Sequence, residues 1–479
     1  MSYVSLKYYI LVVAALVLYY IFPLKFRWIV LLAGSVAFYY LFCKTGWWIF
    51  LITIAVSYIV GILLDRITDK WRKVSLTVGI VSVVTPWLLI KNGNFIFVSI
   101  FQQETVNWIV PLGISFYTLQ MIAYMVDVFK KKISPEVNPA KYILFISFFP
   151  QLIQGPIPRY GQLQHQLIQG HKFEEKNFVK GFYYILWGFF LKLVIADKAG
   201  VIVDTVFAGF PKYSGFYVWI ASFLYSIQLY TDFLACTTLA QGVSKLFGIN
   251  LADNFARPYF AVSIKDFWRR WHISLSSWFR DYIYIPLGGN RYGKLRKNLN
   301  LIVTFLVSGI WHGAGYKFIF WGLLHAGYQI AGDLTYEYRE KAYGALKIER
   351  NSKKKKLLRQ IITFFMVNCG WIIFRADSLT NGLRMIKHMI TDFNPWVLVN
   401  DRMLTLGLGW KELIILVVAI FVLWNISRRR EQGYSISEKI MSQCLPIRWA
   451  IYIIAILAVI IVGTYGHGFN AQDFIYGGF

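Results

Sequence analysis

The feature that most constrains this chain is a succession of long apolar runs separated by short basic clusters. Apolar stretches lie near residues 8–22, 28–43, 47–64, 74–90, 108–128, 141–156, 178–207, 216–240, 299–311, 316–333, 357–374, 410–426 and 447–465. In lipid every backbone polar group must be satisfied within the spanning structure, so apolar runs of this length read as helices. A span needs about 20 apolar residues, and some of these runs are shorter. The expectation is an all-α polytopic membrane protein of roughly ten to twelve transmembrane helices, with re-entrant or interfacial helices besides. Residues 8–22 read as a first membrane helix rather than a secretory signal, because Lys7 is the only early charge and no small-residue cleavage site follows.

Composition agrees. Hydrophobic residues make up 57% of the 479 residues and charged residues 15%, against about 25% charged in a soluble domain. Fifty Lys and Arg against 24 Asp and Glu give a net charge of +26. On a soluble chain that excess would suggest nucleic acid. Here it is confined to clusters between apolar runs, the pattern of cytoplasmic loops, and no nucleic-acid partner is expected. Arg66/Lys70/Arg72/Lys73, Lys130/Lys131/Lys132, Lys353–Lys356 with Arg359, and Arg428/Arg429/Arg430 are the tightest clusters. Placed together in the cytoplasm, they put the N-terminus and residues 91–107 outside the cell membrane. The polar stretch 334–359 reads as a solvated, lipid-attracting loop, or alternatively as a docking surface for an acidic carrier protein. Cys43, Cys236, Cys369 and Cys444 are scattered without CxxC spacing, so neither a disulfide framework nor a metal site is expected.

Residues 254–333 differ from the rest. Ser263 followed by Asp266 is a helix-start signature. Phe267, Trp268, Trp271, Leu275, Trp278, Phe279 and Tyr282 then recur at helical spacing, while Lys265, Arg269, Arg270 and Arg280 fall mostly on the other side. This predicts one amphipathic interfacial helix ending before Pro286, with a turn at Gly288-Gly289-Asn290. On its wheel His272 lies about 40° from Trp268. His312 then sits in the middle of an almost uncharged apolar stretch, flanked by Trp311 and Gly313. An ionisable group there costs free energy unless it is bonded or faces a water-filled cavity, which makes it a functional candidate. If the helix were continuous, His325 would face about 220° away from His312, so His325 reads as a packing residue. Asp232 and Asp127 lie at the edges of apolar runs. Asp232 could orient an imidazole, pair with an arginine, or lock helices in an ion pair. No Gly-rich nucleotide loop, HExxH or GxSxG is present, which leaves soluble-type nucleotide, zinc and serine-hydrolase sites unsupported.

WRRWHISLSSWFRDYIYIPLGGNR followed by SGIWHGAGYKFIFWGLLHA resembles the membrane-bound O-acyltransferase family, in particular its bacterial branch that O-acetylates alginate or peptidoglycan. PLGISFYTLQMIAYMVDVFKKK at 111–132, SFFPQLIQGPIPRY at 147–160, NFARPY at 254–259 and FNAQDFIY at 469–476 extend the likeness over most of the chain. The chain departs from the branch at DFLACTTLA, 232–240, where Thr238 stands in place of a second aspartate. The resemblance implies one membrane domain over 1–479, with a catalytic core at about 108–333 and C-terminal helices at 357–479. It implies a ring of helices around a central tunnel, and transfer of an acyl group from a cytoplasmic thioester to an extracytoplasmic hydroxyl. It also implies an SGNH-hydrolase-like partner and a polysaccharide acceptor.

On this reading His312 is the general base, since imidazole titrates near neutral pH, and His272 assists it. Lys265, Arg269 and Arg270 would receive donor phosphates or, equally, lipid headgroups. Trp268, Trp271 and Trp311 would wall the tunnel, with Asn254 and Asp232 as further binding candidates. The expected donor is acetyl-CoA or an acylated carrier protein, with no resident cofactor. D-alanyl transfer to teichoic acid is the alternative within the same class. A histidine-dependent transporter is the alternative from another class, although no internal repeat supports it.

Overall fold

The computed structural model describes residues 3–43, 45–99, 101–349, 352–399 and 401–465. The terminal FNAQDFIY and His467 fall outside them. The described chain is helical, and its contacts gather into two compact units. One comprises the described chain up to Gly188 with Cys236–Asp253. The other comprises Phe189–Ala235 with the described chain from Asn254 onward.

In the first unit the principal helices are α1 (Leu6–Ile21), α2 (Arg27–Phe42), α3 (Trp47–Arg66), α4 (Asp69–Ser99), α5 (Ile114–Phe129), α6 (Pro139–Ser147), α7 (Tyr160–Ile168) and α8 (Glu175–Phe189, whose last residue enters the other unit). The core is rich in tyrosine. Tyr19, Tyr117, Tyr124 and Tyr142 are fully buried, and Tyr142 donates to Ser57 Oγ at 2.9 Å, so the ring's polar tip is satisfied inside apolar packing. The apolar run at 141–156 is not a span. Asn138 caps α6 by accepting from Ala140 and Lys141, the helix stops at Ser147, and buried turns follow. The run near 74–90 continues as helix to Ser99.

The second unit holds a π-helical turn (Phe190–Ala196), α9 (Asp197–Ala208), the first part of α10 (Phe216–Leu246), α11 (Ile264–Arg270), α12 (Ile273–Phe279), α13 (Gly293–His312), α14 (Tyr316–Leu334), α15 (Tyr336–Ala345), α16 (Lys353–Arg375), α17 (Leu379–Thr391), α18 (Trp410–Glu431), α19 (Ile436–Met441) and α20 (Leu445–Val462). Its largest fully buried side chains include Trp271, Trp321 and Trp371. At the π turn Lys192 is 2% exposed and meets Asp232 at 2.8 Å and Asp197 at 2.9 Å. Of the roles open to Asp232, the structure shows the helix-locking ion pair.

Among the described residues, six segments are long and apolar enough to cross a membrane: Leu24–Phe42, Trp47–Arg66, Lys70–Ser99, Lys353–Arg375, Trp410–Glu431 and Leu445–Val462. This is fewer than the ten to twelve expected from the runs. α1 and α5 are apolar but have 16 residues each, a rise of about 24 Å at 1.5 Å per residue. α13 begins with Lys294, Arg296 and Lys297, which leaves a short apolar portion. Burial covers only 22% of the α18 window and 6% of the α20 window, so their apolar side chains suit a lipid surround.

Candidate functional site

The site is built from α11 to α14 and the segment before them. Ser263 caps α11 by accepting from Asp266 N–H at 3.1 Å, and Asp266 Oδ2 accepts from Val262 N–H, also at 3.1 Å. The start signature is therefore real. The continuous amphipathic helix predicted beyond it is not. α11 ends at Arg270, and His272 takes the left-handed conformation (φ 45°, ψ 55°) before α12 begins. A side chain there costs roughly 1 kcal/mol or more, so the surroundings must impose it. The wheel position of His272 thus has no meaning. The GGN turn holds: Gly288 and Gly289 both have positive φ.

Asn254 imposes the kink. Its carbonyl accepts from Ile273 N–H at 2.9 Å. Its side-chain Oδ1 accepts from Ser274 N–H at 3.1 Å and Ser274 Oγ at 2.8 Å, capping α12 from outside the helix. His272 Nδ1 lies 3.3 Å from the same oxygen. An amide oxygen only accepts, so Nδ1 carries the proton and Nε2 presents a lone pair. His272 is fully buried. Its ring meets Phe233 edge-on at 4.6 Å and Trp311 at 6.2 Å.

His312 is the last residue of α13. The helix stops at Gly313, whose backbone is extended, Gly315 at φ 115° precedes the next helix, and α14 folds back along α13. Glycines allow that return. A Cβ on Gly309 would meet the Phe318 carbonyl at 2.3 Å, and one on Gly322 the Phe305 carbonyl at 2.3 Å. His312 is 3% exposed, with Trp311 and Trp321 each at 5.0 Å between ring centroids and Phe374 at 5.4 Å. Trp311 borders both histidines, its ring centroid 6.2 Å from that of His272 and 5.0 Å from that of His312.

Because α13 and α14 are separate helices, the 220° argument about His325 fails too. His325 is fully buried, and its ring lies 4.8 Å from Trp321, the residue that also borders His312. Its Nδ1 accepts from the Trp268 indole at 3.3 Å. An indole only donates, which fixes the proton on Nε2. A Cβ at Gly370 would stand 2.9 Å from that nitrogen.

A cavity of about 550 Å³ opens beside α11. Lys265, Arg269, Arg280 and Lys297 are among the residues that line it. Lys297 is paired with Asp333 and Arg280 with Asp281, leaving Lys265 and Arg269 as its net positive charge. Trp268, Thr304, Phe305 and Ser308 line it as well. Trp268 packs on Trp321 at 5.6 Å, and Trp321 on His312. Aromatic side chains thus stand between the cavity and the buried imidazole. The arrangement can hold an anionic ligand at Lys265 and Arg269, with bases deeper in.

The remaining expected residues divide. Trp311 joins the two histidines. Trp271 is 1% exposed and packs on Phe267 and Trp371 rather than on the cavity. Arg270 turns away from Arg269 into ion pairs with Asp266 and Glu431. Asp127 meets Lys132 at 3.6 Å. Trp321, Trp371, Phe374 and Glu431 were not singled out from the sequence. The last three come from helices distant along the chain, and no local pattern marks them.

A family model described as MBOAT, membrane-bound O-acyltransferase family, matches residues 97–351. A peptidoglycan O-acetyltransferase of Helicobacter pylori is 35% identical over 372 residues, which is 71% of this chain and 69% of that protein. A probable alginate O-acetylase of Azotobacter vinelandii is 37% identical over 65% of this chain and 60% of its own length. A teichoic acid D-alanyltransferase of Bacillus subtilis is 31% identical over 56% of this chain and 69% of its own.

Proposed function

This chain belongs to the membrane-bound O-acyltransferase family, and from that premise we propose that it moves an acetyl group from a cytoplasmic thioester toward hydroxyls of a cell-surface polysaccharide. The observation that carries the proposal is the pair of buried imidazoles joined at Trp311, next to a cavity whose net charge is positive. A donor bearing phosphates, such as acetyl-CoA, would lay them on Lys265 and Arg269 and direct its thioester toward Trp268. The acceptor hydroxyl gives its proton to His312 as its oxygen attacks the thioester carbonyl. The tetrahedral intermediate collapses, the C–S bond breaks, and the proton passes from His312 to the leaving thiolate. A histidine in this role contributes about 10²–10⁴-fold. His272, with Nε2 unprotonated, is suited to accept a hydrogen bond from the acceptor or to relay the proton.

An acetyl donor is favoured over a D-alanyl donor because the O-acetyltransferase relatives match at higher identity. An extracytoplasmic SGNH-hydrolase-like protein would complete delivery to the polymer. Residence in the cytoplasmic membrane, with the N-terminus outside, follows from the placement of the basic clusters.

The test compares acetate bound to the host's surface polysaccharides in wild type and in His312→Ala expressed at equal level. Loss of acetate with intact protein is expected. Unchanged acetate would overturn the assignment and turn the assay to surface-bound D-alanine.

A further inference from the structure

Two neighbouring arginines of the WRRWH segment have opposite fates. Arg269 lines the cavity, whereas Arg270 is held by carboxylates. The second carboxylate comes from the far end of the chain. Glu431 is the last residue of α18, directly after Arg428, Arg429 and Arg430, and lies beyond the region matched by the family model. Both of its oxygens sit 3.0 Å from Arg270 Nη1, and Oε2 is 2.7 Å from Arg257 Nε. The Glu431 side chain is only 16% exposed.

The two arginines mark the edges of the backbone arrangement that shapes His272. Residues 254–256 run beside 270–273: Ala256 N–H donates to the Arg270 carbonyl and Ile273 N–H to the Asn254 carbonyl, both at 2.9 Å. Each segment of the pair carries a non-glycine residue in the left-handed region, Arg257 at φ 52° and His272 at φ 45°. Such conformations persist only where surrounding contacts over-determine them. Glu431 touches both segments at once, one through Arg257 and the other through Arg270. With Asp266 it balances two cations by two carboxylates. Without its charge the group is left with two half-buried guanidiniums and one acid.

We propose that Glu431 is a positioning residue for His272: by bridging Arg257 to Arg270 it holds the 254–257 segment against 270–273 and so fixes the imidazole in its left-handed register. This rests on the reading that His272 takes part in acyl transfer. Lys265 and Arg269 lie outside the bridge, so donor binding should not depend on it.

The experiment follows labelled acetyl-CoA into surface polymer in inside-out membrane vesicles over a range of acetyl-CoA concentrations, with folded protein counted by detergent melting. Glu431→Gln is expected to lower kcat per folded molecule about tenfold, leave the acetyl-CoA KM within about twofold, and be rescued in part by Glu431→Asp. Wild-type kcat in Glu431→Gln would overturn the proposal, as would a raised KM with kcat intact. So would fewer folded molecules at full kcat, which is what a merely structural tie would give. If Glu431→Gln does not accumulate, Arg257→Gln removes one arm of the bridge and must show the same kcat loss, or the proposal fails. Wild-type vesicles that incorporate no acetate would instead overturn the transferase reading, and the bridge with it.

Discussion

Asn254 shows how much one side chain decides. Its Oδ1 accepts from Ser274 N–H, Ser274 Oγ and the His272 ring. Capping α12 and selecting the tautomer of His272 are therefore the same act. Asn254→Ala loses both. Loss of a cap costs about 1 kcal/mol. Loss of the acceptor frees the ring to rotate and to place its proton on either nitrogen. We expect the melting temperature in detergent to fall modestly. Transfer should fall far more, between about ten and a hundredfold, since misplacing a reacting group by 1 Å can cost that much. A variant that melts lower but transfers at the wild-type rate would refute the tautomer argument. The sequence marked Asn254 only through the NFARPY resemblance, because its partners lie 18 and 20 residues away and no local pattern encodes them. His312 was legible for the opposite reason. An imidazole in an uncharged apolar stretch is conspicuous wherever the chain goes.

At the level of elements, helix starts were easier to read than helix ends. Ser263 and Asp266 announce α11 by local bonding. Its end at Arg270 is dictated by a segment the wheel does not contain. The same holds for α13: only four residues separate its apolar run from the next, and Gly313 and Gly315 mark the break. On one continuous helix His325 would face about 220° from His312; on a separate α14 it borders Trp321, as His312 does. The return of α14 along α13 depends on glycines at the crossing, which gives a prediction within one helix. Gly322→Leu drives a side chain into the Phe305 carbonyl, 2.3 Å from the position of its Cβ. Backbone cannot yield there as a flexible side chain would, so the loss should be at least about 3 kcal/mol. Gly327, less than two turns on, is exposed and has nothing within 4 Å of its Cβ position. Gly327→Ala should stabilise α14 by about 0.5–1 kcal/mol through a less flexible unfolded chain. Size-exclusion profiles after graded heating would rank the two. A Gly322→Leu protein as heat-resistant as wild type would mean that the hairpin is not packed as described.

For the whole molecule, composition and run lengths sufficed for an all-helical membrane protein, and the motif blocks sufficed for its family. They did not suffice for the number of spans. Run length alone does not distinguish a bilayer-crossing helix from a short buried helix followed by turns, as at Pro139–Ser147. What the run pattern does carry is orientation. α3 ends at Arg66 and α4 opens with Lys70, Arg72 and Lys73, so the connection between two apolar helices is strongly basic. The other end of α4 leads to 101–107, where Glu104 is the sole charge. The asymmetry of Lys and Arg across these helices predicts the first turn in the cytoplasm and the second outside. In a chain whose four cysteines are changed to serine, Thr68→Cys and Gln103→Cys place single thiols at the two exposed sites. A membrane-impermeant maleimide should label Gln103→Cys in intact cells and label Thr68→Cys only after the membrane is opened. The reverse pattern would invert α3 and α4 and move the N-terminus to the cytoplasm. Labelling of both thiols in intact cells would mean that α4, despite its 31 residues, does not cross the membrane.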